Sequence, residues 1–217
     1  TDYSYDANNN LTRSDKENRG ADGELRENSH LTTIHEFDIL DHRTRVSREL
    51  DATRSISTEF VYDGNRNLTL TRYGEAVSGA QPENLRILEF DERDLPLRLV
   101  RALGHALQST TRFDYDGNRN LVRELRGIED GAHVTIHVYD GYDRKVESLD
   151  AMGNLTRRSY DPNHNTVEFV IEGELEDVAG SHSNLRLYEV CRDYDALDRP
   201  VRRIEKHFDA ATQVDIG

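Results

Sequence analysis

Hydrophobic and polar positions alternate with a period of two over short stretches of the chain, and that period predicts strands. Ile56, Thr58, Phe60 and Tyr62 fall on one face, as do Thr111, Phe113 and Tyr115. Leu68, Leu70 and Arg72 alternate after one Asn-rich stretch, and Val167, Phe169 and Ile171 after another. Val134, Ile136 and Val138 alternate too, although Tyr139 then stands on the opposite parity. No helical stripe runs longer than two turns. The pattern reads strand, tight turn, strand, longer loop, and it predicts an all-β chain of tandem antiparallel hairpins.

An aromatic-Asp dipeptide ends these strands at regular places. It occurs at Tyr5-Asp6, Phe37-Asp38, Tyr62-Asp63, Phe90-Asp91, Tyr115-Asp116, Tyr139-Asp140, Tyr160-Asp161 and Tyr194-Asp195. The eight alternate between two kinds. Odd members run into Asn-rich turns such as Asp63-Gly64-Asn65-Arg66-Asn67, and even members carry a second Asp three residues on, at Asp41, Asp94, Asp143 and Asp198. From even to odd the aromatic steps are nearly constant, 37 to 62, 90 to 115 and 139 to 160. From odd to even they vary and hold polar, Gly-containing inserts at 14–30, 74–84, 127–132 and 173–184. Internal repetition of this kind decides the architecture. It predicts one continuous array over 1–217, of about eight repeats in four pairs, with one compact connection and one loop that tolerates insertion. The pattern starts and stops in mid-repeat, which reads as a piece of a longer chain.

The dipeptide has a physical reason. The aromatic ends a strand and offers a ring to pack on a neighbouring repeat. The Asp carboxylate accepts backbone N–H groups that the bent chain would leave unpaired. Asn and Gly supply the positive-φ positions that close a hairpin.

Composition changes the picture in two respects. Apolar residues make up 35%, with no Trp, one Met and six Phe, which suits a thin structure better than a thick core. The net charge of −14 argues against nucleic-acid and anionic-membrane partners, which it would repel. Only four Pro and the regular placement of Tyr oppose disorder. Cys191 is alone, so there is no disulfide framework or thiolate metal site, and no apolar run reaches membrane-span length.

Tyr5 to Arg13 and Tyr62 to Leu70, with the even-type Tyr139 to Val146 and Tyr194 to Val201, resemble the YD/RHS repeat, whose usual form is Tyr-Asp-x-x-Gly-Asn/Arg-Leu. The resemblance covers essentially the whole chain. The family's turn Gly is replaced in every unit, by Asn9, Arg66, Arg119 and His164 in odd turns and by Asp41, Asp94, Asp143 and Asp198 in even ones. Arg tolerates the left-handed region poorly, so the positive-φ site in two odd turns is expected to move to Gly64 or Asn65, and to Gly117 or Asn118. A complete family motif stands outside the series at Asp150-Ala151-Met152-Gly153-Asn154-Leu155-Thr156. The resemblance implies a long antiparallel sheet, curved or spiralling into a hollow barrel-like shell of which this chain is a fragment. In bacterial toxin complexes that shell encloses a C-terminal toxin, and in teneurins the related barrel serves cell-surface adhesion. It implies no chemistry in the repeats; where self-cleavage occurs in the family, it belongs to a cap region with no counterpart here.

The residues suggest few competing chemistries. Asp-x-Asn-x-Asn recurs at Asp6, Asp63, Asp116 and Asp161 and matches the first ligands of a calcium loop, but the Gly at position six and a recurrent Glu at position twelve are missing. Asn turns explain the pattern without metal. His133 and His137 have the spacing of a helical zinc pair, yet on a strand they would stand roughly 13 Å apart. Asn10, Asn67 and Asn154 head Asn-Leu-Thr sequons that coincide with the turns. No phosphate loop, nucleophile elbow or dinucleotide fingerprint occurs. The sequence therefore predicts no catalytic residue, metal or cofactor, and assigns the eight dipeptides a structural role. Two functions follow. One is a scaffold of an exported protein, secreted or on the bacterial surface, that encloses or presents a toxin or effector segment of the same chain. The other is an adhesion module that binds glycan or protein through the variable loops, where Tyr73 is the one aromatic. Exposed strand edges would also favour self-association.

Overall fold

The computed structural model describes residues 1–51, 53–173, 185–209 and 212–217. Among the described residues there are sixteen strands and one short helix; the ladders are antiparallel, and within each unit neighbouring strands follow chain order. The chain divides into two compact units, Thr1–Thr111 and Arg112–Gly217.

The first unit holds β1 (Asp2–Tyr5), β2 (Leu11–Arg19), β3 (Leu25–Phe37), β4 (Arg43–Glu49), β5 (Ser55–Tyr62), β6 (Leu68–Arg72), α1 (Gly74–Ser78), β7 (Leu85–Phe90) and β8 (Pro96–Arg101). The division falls within β9 (Ser109–Tyr115), and the second unit continues with β10 (Leu121–Arg126), β11 (His133–Tyr139), β12 (Lys145–Leu149), β13 (Leu155–Tyr160), β14 (Thr166–Gly173), β15 (Leu185–Tyr194) and β16 (Pro200–His207). None of the described helices is long and apolar enough to cross a membrane.

Because consecutive strands pair antiparallel, successive turns alternate between two edges of each unit. In the first unit the aromatic-Asp turns 6–10, 38–42, 63–67 and 91–95 share one edge, and 20–24, 50–54 and 73–84 lie on the other. In the second, 140–144, 161–165 and 195–199 lie on one edge and 127–132 and 150–154 on the other.

The inserts behave differently from the expected loops. Residues 14–19 and 25–30 continue β2 and β3, paired from Ser14↔Thr33 to Arg19↔Leu25, so this insert lengthens a hairpin. Only 20–24 turns, closed by Gly20 N–H to the Glu24 carbonyl at 2.9 Å. Polar composition misleads here because the ladder is made by backbone groups, and side chains that stay in water lose nothing by extending. The insert at 74–84 carries α1, where a Cβ on Gly74 would stand 2.2 Å from Ile56 Cγ1, so a larger residue there would require the Ile56 side chain on β5 to shift. The insert at 127–132 is a turn with positive φ at Gly127 and Gly131. Of the insert at 173–184, all but Gly173 lies outside the described residues.

The core is thin. Among the described residues the buried hydrophobics are Leu99, Val100, Val170 and Val190, while Ile56, Ile136 and Val138 of the alternating stretches are exposed. Charge and aromatic contacts across strands take over much of the work of a core. On one face of the second unit Glu147, Arg157, Val170, Glu189 and Lys206 stand in register over five strands. Arg157 pairs with Glu147 at 3.0 Å and Glu172 at 2.8 Å, and Glu189 takes Arg186 at 2.8 Å and Lys206 at 2.7 Å, so ion pairs flank the buried Val170 along this face. On the opposite face Arg158 lies 5.1 Å over Phe169, followed by Tyr188 and His207 with ring centroids 6.4 and 5.0 Å apart.

Candidate functional site: the clasped turn edge

The eight aromatic-Asp turns share one backbone. In each, the Asp N–H reaches the carbonyl four residues on, and the N–H three residues on returns to the Asp carbonyl, at 2.9–3.3 Å. The residue at that third place has positive φ in all eight: Asn9, Asp41, Arg66, Asp94, Arg119, Asp143, His164 and Asp198. A register shift falls at the aromatic, as between Ser4 and Tyr5 or Val138 and Tyr139. This is a three-residue hairpin loop with a bulge. Tyr139 shares its face with His137, while Ile136 and Val138 lie on the exposed face, so the parity differs because the alternating apolar residues there are the outward ones.

Arg66 (φ 71°) and Arg119 (φ 74°) therefore hold the left-handed place themselves, and the expected shift to Gly64, Asn65, Gly117 or Asn118 does not occur. The register set by the strands on both sides fixes which position must bend, and it overrides the side chain's own preference. A non-Gly residue there costs on the order of 1–2 kcal/mol.

Each Asp carboxylate caps its own turn. Oδ1 accepts the N–H groups two and four residues on, at 2.8–3.1 Å, from Asn8 and Asn10 on Asp6 through to Leu197 and Arg199 on Asp195. Oδ2 takes a side chain, such as Asn67 on Asp63, His42 on Asp38 or Arg144 on Asp140. Donation to the charged form holds four of these acids below their ordinary range: chiefly the Asn10 N–H for Asp6 and the Asn67 N–H for Asp63, and the Arg144 and Arg199 side chains for Asp140 and Asp195.

Two kinds of contact then join turn to turn. The first is a clasp, in which two Asn amides of an odd turn donate to one Asp oxygen of the next even turn. Asn8 and Asn10 meet Asp41 Oδ1 at 2.9 and 2.7 Å, and Asn65 and Asn67 meet Asp94 Oδ1 at 2.9 and 2.8 Å. Asn118 and Asn120 meet Asp143 Oδ1 at 2.9 and 2.7 Å, and Asn163 and Asn165 meet Asp198 Oδ1 at 2.9 and 2.8 Å. The clasp accounts for Asp in place of a turn glycine in all four even repeats: Asp tolerates positive φ and also supplies the anionic acceptor.

The second contact is a phenol. Tyr62, Tyr139, Tyr160 and Tyr194 donate their hydroxyls to the carbonyls of Arg43, Leu121, Lys145 and Thr166, at 2.9–3.2 Å. Each acceptor is the residue just after the preceding aromatic-Asp turn. The ring thus packs back onto the earlier hairpin, and the hydroxyl explains why Tyr predominates; Phe37 and Phe90 keep the ring without that bond.

The other chemistries considered from sequence find different settings. The Asp-x-Asn-x-Asn side chains meet in the caps and clasps, with amide donors on the carboxylate oxygens, and no group of three metal-ligating residues forms among the described residues. His133 and His137 lie on β11 as a strand, with His137 Nδ1 2.9 Å from Ser148 Oγ. On the opposite edge of the first unit a shallow cleft of about 340 Å³ is lined by Gln81, Glu83, Asn84, Ala102, His105 and Leu107, without a catalytic constellation.

No protein-family model matches this chain, and no curated protein matches it. Among solved structures, it superposes on a chain of the Photorhabdus luminescens Tc holotoxin pore with a TM-score of 0.51 over 95% of its length, at 11% identity. The likeness is one of fold. The Tc toxin chain is much longer, and the matched span is 12% of it. Crystal structures of TcdB2-TccC3-Cdc42 and of TcdB2-TccC3 without its hypervariable C-terminal region match over 99% of this chain and 14% of theirs, at 12% identity, with TM-scores of 0.36 and 0.35. What is shared with the Tc toxin chain is an all-β antiparallel fold.

Proposed function

We propose that the chain is a non-catalytic repeat scaffold of an exported YD/RHS-type protein, secreted or on the bacterial surface, enclosing or presenting a toxin or effector segment further along the same polypeptide. The carrying observation is the edge of clasped turns: conspicuous acids and amides go into holding successive hairpins at one spacing. That is the work of a wall. Four paired units over 1–217 make one array in this reading, and the eight dipeptides from Tyr5-Asp6 to Tyr194-Asp195 are its structural fasteners. The Tc toxin fold supports it, as does the lack of a thick core.

The test is limited proteolysis of the full-length parent protein, with mass spectrometry of the surviving fragments. Survival of a buried or cleaved C-terminal segment together with the repeats is the expected result. If the repeats survive and the downstream segment is digested, enclosure is refuted, and ligand screening of the insert edge for glycan or protein follows.

A further inference from the structure

The second unit shows what can fill the gap between an even turn and the odd turn that follows. Arg144 pairs with Asp140 at 2.6 Å, lies 4.7 Å over the Tyr160 ring and 5.1 Å over Tyr142, and donates Nη1 to the Asp161 carbonyl at 3.1 Å. Its guanidinium is stacked, ion-paired and hydrogen-bonded at once.

The first unit repeats that framework with two side chains changed, at the places of Arg144 and Tyr142. Asp38, Tyr62 and Asp63 stand for Asp140, Tyr160 and Asp161, and the two phenols make the same bond, to Arg43 and Lys145 carbonyls. In Arg144's place is His42. Its imidazole reaches Asp38 Oδ2 at 3.0 Å and stacks on Tyr62 with centroids 4.8 Å apart, but it is too short to extend further. Among the described residues no side chain reaches the Asp63 carbonyl as Arg144 reaches that of Asp161. Leu40 replaces Tyr142 at the turn tip and is 54% exposed. What remains is an open cleft of about 430 Å³, lined by Asp38, Leu40, His42, Phe60, Tyr62 and Asp63 among others. Arg43 lies 5.2 Å over Phe60 and is not part of the lining.

We propose that this cleft receives an arginine side chain from a partner segment. The guanidinium enters over His42 between the acidic rims of Asp38 and Asp63, and the Asp63 carbonyl takes the donor that the Asp161 carbonyl takes from Arg144. The molecule supplies the template for this site in its other unit, and its net charge of −14 draws a basic segment towards it. The site goes beyond the scaffold proposal and does not depend on it, since it rests only on the cleft and on the Arg144 template.

Titration of the 217-residue chain with N-acetyl-arginine amide, followed by amide NMR shifts, tests it. Saturable shifts confined to 38–44 and 60–64 are expected, with the neutral citrulline amide at least about tenfold weaker. His42→Arg should abolish them by filling the slot in cis; this variant should fold, because Arg144 and Arg199 occupy the same turn place. Absent or unsaturable shifts, shifts elsewhere, equal binding of citrulline, or undiminished binding by a folded His42→Arg variant would each overturn the assignment.

Discussion

Arg66→Gly and Asp94→Gly put the same residue into the same backbone conformation, at φ 71° and 59°, in turns that touch. Their effects on stability should nevertheless have opposite signs. At Arg66 the substitution removes a left-handed strain of about 1–2 kcal/mol. It adds back roughly 0.5–1 kcal/mol, because glycine has more freedom to lose on folding. A net gain of about 0.5–1 kcal/mol is expected from these terms. At Asp94 the strain is smaller, since Asp tolerates this region, and it roughly cancels the glycine entropy. What then decides the sign is loss of the clasp, two bonds from Asn65 and Asn67 to one carboxylate oxygen at 2.9 and 2.8 Å. Because both bonds are open to solvent, each is taken at about 0.5–1 kcal/mol, the lower part of the ordinary hydrogen-bond range, so the loss is about 1–2 kcal/mol for the pair. Thermal unfolding of the two variants is the assay. At this chain length Arg66→Gly should raise Tm by about 1–4 °C and Asp94→Gly lower it by about 2–8 °C. If Asp94→Gly proves as stabilising as Arg66→Gly, the clasp contributes nothing, and Asp stands there only because it tolerates the backbone.

Tyr160→Phe keeps the ring under Arg144 and removes the hydroxyl that donates to the Lys145 carbonyl at 2.9 Å. It should cost about 1 kcal/mol, or roughly 2–4 °C in Tm, and an unchanged midpoint would reduce the phenol to a packing group. Acid should act in two stages, read as Tm against pH from 7 to 2. His35 and His137 have folded pKa values below their ordinary 6.5, chiefly through burial and then nearby Arg43 for one and Lys145 for the other. Their stabilisation is complete above pH 6.5 and is lost as pH falls through the folded values, giving a shallow first decline. The capping acids Asp6, Asp63, Asp140 and Asp195 also have folded values below their ordinary 3.8, so their share is present above pH 3.8 and lost below it, giving the steeper second decline. A steep loss between pH 6 and 5 would mean that histidines, not the capped turns, govern acid stability.

The hairpin ladder was legible because its signals are local. Alternation along Phe60 and Tyr62, an Asp that caps two residues later, and an Asn or Asp that can bend left are all read within six positions. Two features were not legible, for different reasons. Arg66 bends left against its own preference because β5 and β6 are registered on either side of it, and registry is a property of the pair. The clasp joins Asn67 to Asp94 across a whole hairpin, and a single sequence gives no distance between them. A signal was nonetheless present, since Asn-x-Asn marks every odd turn and the extra Asp every even one. Residues 14–30 were misjudged because polarity separates loop from strand only where one face is dry, and this sheet has no fully dry face. The ion pairs flanking Val170 were not legible for the same reason, since their charges read as solvent-facing composition.

Within each unit the two edges are held to different standards of accuracy. Along the clasped edge every hairpin must bring its turn within hydrogen-bond reach of the turns before and after, so a residue gained or lost there would put the fasteners out of step. The opposite edge has no such obligation, and it accommodates a lengthened hairpin, a helical turn and short glycine bends in succession. A lineage of such proteins can therefore change its outer sequence freely on one side while preserving its spacing on the other. The same asymmetry makes 20–24 and 127–132 the natural places to graft a foreign peptide for display.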